Sequence, residues 1–258
     1  MITSTSNSQV KNVVSLQSKA KLRREKQEFV VEGIKMVMEA PSDRIVKIYA
    51  SCSFENSNPN VVDILKTKGE YEAVADNVFV QMSDTKTPQG ILAVVKMLKY
   101  SVDDLIADNA LIIATENLQD PGNMGTIIRT AEGAGATGIL VSGNSVDLYN
   151  PKTIRSTMGS LFRMKVAVES DFLDALAYLK EKGVVLHAAH LDGKNDYTEE
   201  NYTKKCGFVI GNESNGLTDE AAKMCDILVK IPMAGKLESL NASVAAAILM
   251  YEANRQRR

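Results

Sequence analysis

The sequence has few of the features that would place a chain outside the class of ordinary globular proteins. Its three cysteines, Cys52, Cys206 and Cys225, lack CxxC spacing and support neither a disulfide framework nor a zinc site. No run approaches about 18 uncharged apolar residues, so no membrane span is expected. The polar residues 1–8 lack the basic and apolar blocks of a signal peptide. These absences predict a cytoplasmic protein with reduced thiols and no metal.

The chain also lacks a strong net charge. Its 258 residues carry 30 Lys and Arg against 32 Asp and Glu, which argues against a protein that coats nucleic acid nonspecifically. Positive charge is instead local, because the first thirty residues contain a basic run of Lys11, Lys19, Lys21, Arg23, Arg24 and Lys26. This run predicts a patch for a phosphate backbone, and a solvated helix face is an equally good alternative.

Apolar residues make up 45% of the chain and charged residues 24%, a composition typical of one or two globular domains. The N-terminal part alternates short elements in a small α/β pattern, with helices at 9–27, 34–40 and 61–68 and strands at 29–31, 45–50 and 90–97. Residues 99–108 are polar and predict a linker. We therefore predict two domains, at residues 1–98 and 108–258.

The C-terminal part has a more regular rhythm of strands and helices. Continuous apolar runs predict strands at 111–115, 138–142, 184–189, 208–211 and 227–231. Such runs are typical of strands covered on both faces, so the sheet should be mainly parallel, with helices on each side. Asn150-Pro151 begins one of the helices and places Lys152 and Arg155 one turn apart.

A GxGxxG pattern occurs at Gly133-Ala-Gly135-Ala-Thr-Gly138. The dinucleotide-binding fingerprint needs a strand before it and a helix after it, whereas here a helix precedes and a strand follows. These glycines therefore predict a tight helix-to-strand connection. The sequence also contains no GxxxxGK[ST] phosphate loop.

Three loops rich in glycine and amide residues follow apolar strands in the C-terminal part. They are Asn117-Leu-Gln-Asp-Pro-Gly-Asn-Met-Gly-Thr-Ile-Ile-Arg129, Ile210-Gly-Asn-Glu-Ser-Asn-Gly216, and Ile231-Pro-Met-Ala-Gly-Lys-Leu-Glu-Ser-Leu-Asn241. The third leads into a helix with Val244, Ile248 and Tyr251 at helical spacing and with Ser239 or Asn241 as its candidate N-cap. Taken singly, this third loop fits an ordinary polar connection before a core helix.

Together the three loops resemble the signature motifs of the SpoU (TrmH-like) RNA ribose 2'-O-methyltransferases of the SPOUT class, over roughly residues 108–257. In addition, Phe29-Val-Val-Glu-Gly33 and Thr87-Pro-Gln-Gly-Ile-Leu-Ala-Val94 resemble the L30e-like substrate-binding domain that often precedes this catalytic domain. The resemblance implies a trefoil-knotted, mainly parallel α/β sheet preceded by a smaller α/β L30e-like domain. It also implies a homodimer formed through helices of the catalytic domain.

The resemblance implies S-adenosyl-L-methionine as cofactor and two sets of site residues. The catalytic set is Asn123, Arg129, Glu213, Ser239 and Asn241, and the cofactor-binding set is Ala189, Gly211, Ile231, Met233 and Leu240. In this family, activation of the ribose 2'-hydroxyl is most often assigned to the arginine that Arg129 matches. Because a guanidinium has a pKa above about 12, anchoring a phosphate and stabilising the developing alkoxide is physically easier for it than taking a proton.

Several further expectations concern individual residues. Gly211 is expected to let the cofactor lie against the backbone, and Glu213 to position the nucleotide or the loop amides. Thr218 should cap the next helix. The candidate RNA-binding residues are Lys21, Arg23, Arg24, Lys152 and Arg155. His187 and His190 should point to opposite faces of a strand and therefore predict no shared metal site.

The predicted function is S-adenosylmethionine-dependent 2'-O-ribose methylation of RNA. The type of N-terminal domain favours ribosomal RNA over transfer RNA, although a transfer-RNA methyltransferase stays an alternative. An alternative of another class is a non-catalytic RNA-binding assembly factor, which would keep the basic N-terminus. Binding of S-adenosylmethionine distinguishes the two classes.

Overall fold

The computed structural model describes residues 1–191, 193–237 and 239–258. The helices are α1 (Ser8–Ser18), α2 (Ala20–Lys26), α3 (Ile34–Glu39), α4 (Cys52–Ser57), α5 (Pro59–Lys68), α6 (Asp76–Met82), α7 (Pro121–Ala134), α8 (Pro151–Thr157), α9 (Phe172–Glu181), α10 (Asp219–Met224) and α11 (Ala242–Gln256). The strands are β1 (Glu28–Glu32), β2 (Ile45–Ser51), β3 (Tyr71–Val74), β4 (Ile91–Lys96), β5 (Leu111–Thr115), β6 (Gly138–Ser142), β7 (Val166–Glu169), β8 (Val185–Ala189), β9 (Asn195–Asp196), β10 (Cys206–Ile210) and β11 (Ile227–Lys230).

The chain divides into two compact units. The first contains Met1–Leu98 together with Asp147–Phe162, and the second contains Lys99–Val146 together with Arg163–Arg258. Helix α8 therefore belongs to the first unit, although its sequence lies between two strands of the second. In the part of the chain that the structure describes, no helix has the length and apolar character needed to cross a membrane.

The first unit is built on a four-stranded mixed sheet in the order β1-β4-β2-β3. β4 pairs antiparallel with β1 and β2, and β2 pairs parallel with β3. The apolar stripe of α1, formed by Val10, Val13 and Leu16, is buried in the same core cluster as Val30 and Leu92 of the sheet. The predicted small α/β unit is thus present, and it also contains α4, β3 and α6, which the sequence pattern did not reveal.

The single helix predicted at 9–27 is wrong, because the chain breaks it at Lys19, whose backbone is extended (φ −120°, ψ 102°). The guanidinium of Arg23 explains the break. Its Nη1 donates to the carbonyl oxygens of Leu16 at 2.6 Å and Gln17 at 3.0 Å. In a continuous helix those carbonyls would accept from the backbone four residues later. A buried side chain thus takes the place of two helical hydrogen bonds.

The N-terminal motifs Phe29–Gly33 and Thr87–Val94 meet in a turn that needs glycine. Gly33 has a φ of 96°, and the side chain of Gln89 accepts a hydrogen bond from the backbone of Ile34 at 2.8 Å. Gly90 has a φ of 83°, and a Cβ there would lie 2.6 Å from Oγ of Ser51. In this structure the motifs fasten the start of α3 to the start of β4.

The second unit is built on a seven-stranded sheet in the order β7-β6-β5-β10-β8-β11-β9. Every pairing between its strands in the described residues is parallel. The five strands predicted from apolar runs are all present within one or two residues of their expected ends, and the predicted mainly parallel α/β fold is confirmed. The pattern missed β7 and β9, which are only four and two residues long.

The GxGxxG segment connects a helix to a strand, as predicted. α7 ends at Ala134, and Gly135 caps it in the left-handed region (φ 76°) before β6 begins at Gly138. The backbone N–H of Gly135 bonds the carbonyls of Ala131 and Glu132 and so satisfies the end of the helix. No helix N-terminus follows these glycines, so the segment lacks the geometry of a pyrophosphate site.

Residues 99–108, which were expected to be a linker, pack into the second unit. Tyr100 forms a parallel bridge to Ala167, and Leu105 is fully buried in the core beneath the sheet. Lys165 also donates to the carbonyl of Asp104 at 2.8 Å. The polar composition of the stretch concealed the one leucine that anchors it.

Candidate active site

The first two predicted motifs lie at the carboxyl ends of adjacent strands, and the third follows β11 in the same sheet. β5 and β10 pair in parallel, and the loops that follow them start side by side at Glu116 and Gly211. The order of strands across the sheet changes direction between these two strands. β5 is followed by β6 and β7 toward one edge, and β10 is followed by β8 and β11 toward the other. Open α/β sheets bind ligands at such a reversal, outside the carboxyl ends of the strands.

The first loop ends in a well-defined helix start. Asp120 is the N-cap of α7 and accepts a hydrogen bond from the backbone of Asn123 at 2.8 Å, and Pro121 occupies the first helical position. This cap fixes Asn123 in the first turn, where its side chain points away from the helix toward the other loops. Local sequence therefore determines where the amide of Asn123 lies.

The side chain of Asn123 joins all three motifs. Its Nδ2 donates to Oε1 of Glu213 at 3.0 Å, and its Oδ1 accepts from Nδ2 of Asn241 at 3.0 Å. Three residues predicted as catalytic, which are 90 and 118 positions apart along the chain, thus form one hydrogen-bonded junction. We call Asn123, Glu213 and Asn241 the motif junction.

Glu213 holds the first loop through its carboxylate. Oε2 accepts from the backbone of Gln119 at 3.2 Å, and Oε1 accepts from the backbone of Asp120 at 3.1 Å as well as from Asn123. Burial disfavours the charged form, but these hydrogen bonds outweigh it and hold the pKa of Glu213 below its usual range. At neutral pH the group is an ionised acceptor with three N–H donors.

Asn241 plays a second part as the N-cap of α11. Its Oδ1 accepts from the backbone of Ser243 at 2.9 Å, which decides between the two predicted N-cap candidates in favour of Asn241. Ser243 is only 7% exposed, and its hydroxyl lies 3.3 Å from Oδ1 of Asn123 and 2.7 Å from Oδ1 of Asn241. Sequence reasoning missed Ser243, although its place two residues after an N-cap asparagine is a usable signal.

Gly211 is needed for a reason that differs from the predicted one. A Cβ at this position would overlap the carbonyl carbon of Gly216 and the backbone nitrogen of Leu217. The glycine therefore lets the second loop fold back on itself, and Asn212 and Gly216 then exchange two backbone hydrogen bonds of 2.9 Å. A bulky residue at position 211 should therefore disturb the fold of the second loop, because the clash is with backbone.

Glu116 is a further residue that sequence reasoning did not single out. It is 6% exposed, and its carboxylate accepts from the backbone N–H of Thr218 at 2.8 Å and from the Thr218 hydroxyl at 2.7 Å. The available signal was a charged residue directly after the apolar run of β5. Thr218 caps α10 as predicted, since its hydroxyl accepts from the backbone of Ala221 at 3.2 Å.

Arg129 lies apart from the motif junction. It is the ninth residue of α7, so a rise of about 1.5 Å per residue places it about 9 Å along the helix from Asn123. Its side chain is exposed, and no hydrogen bond or ion pair joins it to another residue that the structure describes. The guanidinium is therefore available to a ligand from the third turn of the helix.

The predicted cofactor residues gather at the carboxyl ends of β8, β10 and β11. Ala189 ends β8 and pairs with Val229 of β11. Ile231, Met233 and Leu240 are half-buried, and Ser239 is exposed. Outside the undescribed residue 238, the loop 231–240 forms no hydrogen bond to described residues, so its backbone groups are open to a ligand. A ligand with an apolar body and a hydrogen-bonding edge fits this loop.

The two histidines are not placed for joint metal binding. His187 is 1% exposed, packs against Tyr202 and Phe208, and has its pKa lowered by burial. His190 follows the end of β8. Among the described residues, no group of three or more His, Cys, Asp and Glu side chains has the arrangement of a metal site.

The predicted RNA-binding residues are not equivalent. Lys21 and Arg24 are exposed on α2, but Arg23 is 3% exposed and its Nε and Nη2 donate to Asp147 at 3.0 and 2.5 Å. Arg23 must therefore be removed from the RNA-binding set, because its donors are already used inside the first unit. On α8, Lys152 is exposed, and Arg155 donates to Asp84 at 2.6 Å.

Comparison with known proteins agrees with this geometry. The model of the SpoU rRNA Methylase family matches residues 110–251, and that of the MRM3-like substrate binding domain matches residues 7–93. The 23S rRNA (guanosine(2553)-2'-O)-methyltransferase RlmP of Bacillus subtilis (strain 168) is 32% identical over 251 residues, which cover 97% of each chain.

Solved structures give the same picture. The SpoU methyltransferase AviRb from Streptomyces viridochromogenes, in complex with the cofactor AdoMet, has a TM-score of 0.90 at 29% identity and covers 97% of this chain and 98% of its own. The AdoMet-bound rRNA methyltransferase from Sinorhizobium meliloti has a TM-score of 0.89 at 31% identity, with 98% and 97% covered. The similarity thus extends over both units.

Proposed function

The chain belongs to the SpoU rRNA methylase family, and on that premise we propose that it transfers a methyl group from S-adenosyl-L-methionine to a ribose 2'-hydroxyl of 23S ribosomal RNA. The observation that carries the proposal is the motif junction, in which Asn123, Glu213 and Asn241 meet at the carboxyl end of the sheet. Each comes from a different loop, so the junction exists only in the folded chain and places all three motifs around one location.

The open loop 231–240 is the proposed cofactor site. Its half-buried Ile231, Met233 and Leu240 suit an adenine ring, and its backbone groups without partners among the described residues suit the edge of that ring. Ala189 ends β8, the neighbour of β11, and Gly211 directly follows β10, the next strand of the sheet. When bound, S-adenosylmethionine supplies a methyl group on a positively charged sulfur atom, which is a good leaving group.

The task of the protein is then to orient the 2'-oxygen and to stabilise the charge that develops on it. Arg129 is exposed and has no partner in the described chain, so we assign it to a phosphate or to the developing alkoxide of the RNA. Asn123, Ser239 and Asn241 supply neutral polar groups that can orient the ribose. Arg129 therefore carries the electrostatic part of catalysis and the amides carry the positioning part.

Glu213 is not suited to accept the proton of the hydroxyl. Its two oxygens already accept three N–H donors, and its pKa is held below the usual range. A general base works best with a pKa near the working pH, which is the opposite of this arrangement. We propose instead that Glu213 fixes the loop amides and Asn123.

The first unit is the proposed RNA-binding module. Lys21 and Arg24 are exposed on α2, where phosphates can reach them. Lys152 is exposed on α8. The match of residues 7–93 to a substrate-binding domain supports the same assignment. The relative from Bacillus subtilis that covers 97% of the chain acts on ribosomal RNA, which favours that substrate over transfer RNA.

We further propose that the protein is a cytoplasmic homodimer with a trefoil knot. An exposed stripe on α11 supports the dimer: Val244 is 46% and Tyr251 48% exposed, with half-buried Ile248 between them at helical spacing. The knot is proposed from the family, and Arg257 fastens the C-terminal end of α11 to the carbonyls of Asn109, Ala110, Tyr202 and Lys204. The cytoplasm is where the proposed substrate occurs.

The decisive experiment is a map of ribose methylation across total RNA from cells with and without the gene, combined with calorimetric titration of S-adenosylmethionine. We expect one 23S ribosomal RNA position to lose its methyl group and the purified protein to bind the cofactor. Loss of a transfer-RNA modification would redirect the proposal to that substrate. A protein that binds ribosomal RNA but no cofactor would be the assembly factor instead.

A further inference from the structure

Glu116 lies where the first and second motif loops begin. Its backbone N–H donates to the carbonyl of Ile210 at 2.9 Å, which continues the pairing of β5 with β10 by one residue. Its carboxylate is 6% exposed and accepts two hydrogen bonds, both from Thr218. Among the described residues, the carboxylate is therefore hydrogen-bonded to Thr218 alone, at the end of the second loop.

Thr218 marks the exit of that loop. The loop enters from Ile210, doubles back through Asn212 and Gly216, and leaves at Thr218, whose hydroxyl caps α10. Glu213 lies in the turn between Asn212 and Gly216. The two ends of the loop are therefore held by β10 and by Glu116, and the carboxylate of Glu213 is presented between them.

A buried carboxylate is costly unless it is fully hydrogen-bonded, and an apolar pair could often serve as well for stability alone. The place of Glu116 indicates a more specific task. We propose that Glu116 is a positioning residue for methyl transfer, which fixes the exit of the second loop at Thr218 so that Glu213 meets Gln119, Asp120 and Asn123. The inference rests on the proposed function and assigns Glu116 no contact with substrate.

The first test is the rate of methyl transfer in a single turnover at saturating RNA and cofactor. Glu116→Ala removes both hydrogen bonds to Thr218 and should slow this step about 10- to 100-fold, the range that corresponds to the loss of one or two hydrogen bonds to a charged group. Glu116→Gln keeps an acceptor for the backbone N–H of Thr218 and should recover most of the rate. Affinity for RNA should not change.

The second test is a double-mutant cycle with Glu213→Ala. If Glu116 acts through Glu213, the double variant should be no slower than Glu213→Ala alone, because the position of the second loop no longer matters once that carboxylate is absent. A general loss of stability would instead make the two effects multiply. Glu252→Gln is the matched control, since Glu252 is 9% exposed and, among the described residues, its hydrogen bonds stay within α11. It should leave the rate unchanged.

Multiplying effects in the cycle, or a Glu116→Ala rate within about threefold of wild type, would overturn the inference. If Glu116→Ala does not fold, Thr218→Val replaces it in the same cycle, and Thr218→Ser is its conservative control. Thr218→Val should be slow, and Thr218→Ser should not. A wild-type protein that transfers no methyl group to any RNA would instead refute the proposed function, so the two failures are distinguishable.

Discussion

Arg23 shows how burial decides what a basic residue can do. In the sequence it belongs to a run of cations that predicts a phosphate-binding patch. In the structure its guanidinium is 3% exposed, pairs with Asp147, which is 124 residues away, and ends α1 through the carbonyls of Leu16 and Gln17. Nothing local to the run distinguishes Arg23 from its neighbour Arg24, because the partner that defines it is remote.

Replacing Arg23 should therefore destabilise the protein. Arg23→Ala leaves Oδ2 of Asp147 and two carbonyls without the donors of this side chain. Breaking a largely buried ion pair costs about 3 kcal/mol. Arg24→Ala, the matched surface control, should change the free energy of unfolding by less than about 0.5 kcal/mol. Urea unfolding of both variants measures the difference. Equal midpoints would show that the pair of Arg23 and Asp147 contributes little.

Arg129 presents the opposite case, an arginine with no partner in the described chain. If it stabilises the developing alkoxide, the planar fork of the guanidinium matters as well as its charge, so Arg129→Lys should be a poor substitute. We expect Arg129→Lys and Arg129→Ala to lose about 10²- to 10³-fold in rate at saturating RNA, as for the loss of one preorganised oxyanion donor.

Rapid-quench methyl transfer from labelled S-adenosylmethionine measures this rate, and calorimetry should show a nearly unchanged cofactor affinity. A variant whose saturated rate stays within a few-fold of wild type, with weaker RNA binding alone, would assign Arg129 to substrate binding. The proton acceptor would still have to be sought among groups other than Glu213, whose oxygens are occupied.

At the scale of elements, the second loop can fold back on itself because residue Gly211 has no Cβ. Gly211→Ala should displace the backbone at Gly216 and Leu217 and with it the hydrogen bonds of Glu213. We expect a lower melting temperature together with a slower methyl transfer, whereas Gly216→Ala, where a Cβ meets nothing within 4 Å but φ is 68°, should show only the smaller cost of a left-handed alanine. Identical behaviour of the two variants would refute the packing argument.

The stripe on α11 leads to a prediction about assembly. If Val244 and Tyr251 cover the same stripe of a second copy, Val244→Glu should convert the dimer to a monomer by burying an unpaired charge. Val80→Glu is the control, because Val80 is 57% exposed on α6 of the first unit. Light scattering after size exclusion should report a halved mass for the first variant alone. A monomeric wild type would end the dimer proposal.

The sequence reveals those elements whose apolar pattern is long and continuous. The central strands β5, β6, β8 and β10 are continuous apolar runs, so composition alone marks them. β9 has two residues and β7 is half exposed, and neither leaves a periodic pattern. The break at Lys19 depends on a side chain four residues later, and propensity does not report it.

The site is revealed less completely than the strands. Motif order predicts that Asn123, Glu213 and Asn241 belong together, but their mutual hydrogen bonds join residues about a hundred positions apart. Glu116 and Ser243 act through partners that only the fold supplies. Motifs therefore identify the loops, and tertiary structure decides which side chains within them are occupied by other groups.

At the scale of the whole molecule, the proposed function divides recognition and chemistry between two units. The exposed cations Lys21 and Arg24 lie in the first unit, and the motif junction lies in the second. The formal charge of -2 means that RNA affinity has to come from local charge rather than from the whole surface. Affinity for RNA and affinity for the cofactor should therefore respond to different substitutions.

The salt dependence of RNA binding tests this division. Each phosphate contact contributes a slope of about 0.7 to 0.9 in a plot of log affinity against log salt, so replacing Lys21 and Arg24 by Ala should lower the slope by about 1.4 to 1.8. Lys182 and Lys223, which are exposed on the second unit, provide a control pair whose replacement should leave the slope unchanged. Cofactor affinity should be the same in both double variants, because neither pair belongs to the loop 231–240. An unchanged slope for the first pair would show that α2 is only a solvated helix face and that RNA is held by other cations, such as Arg129.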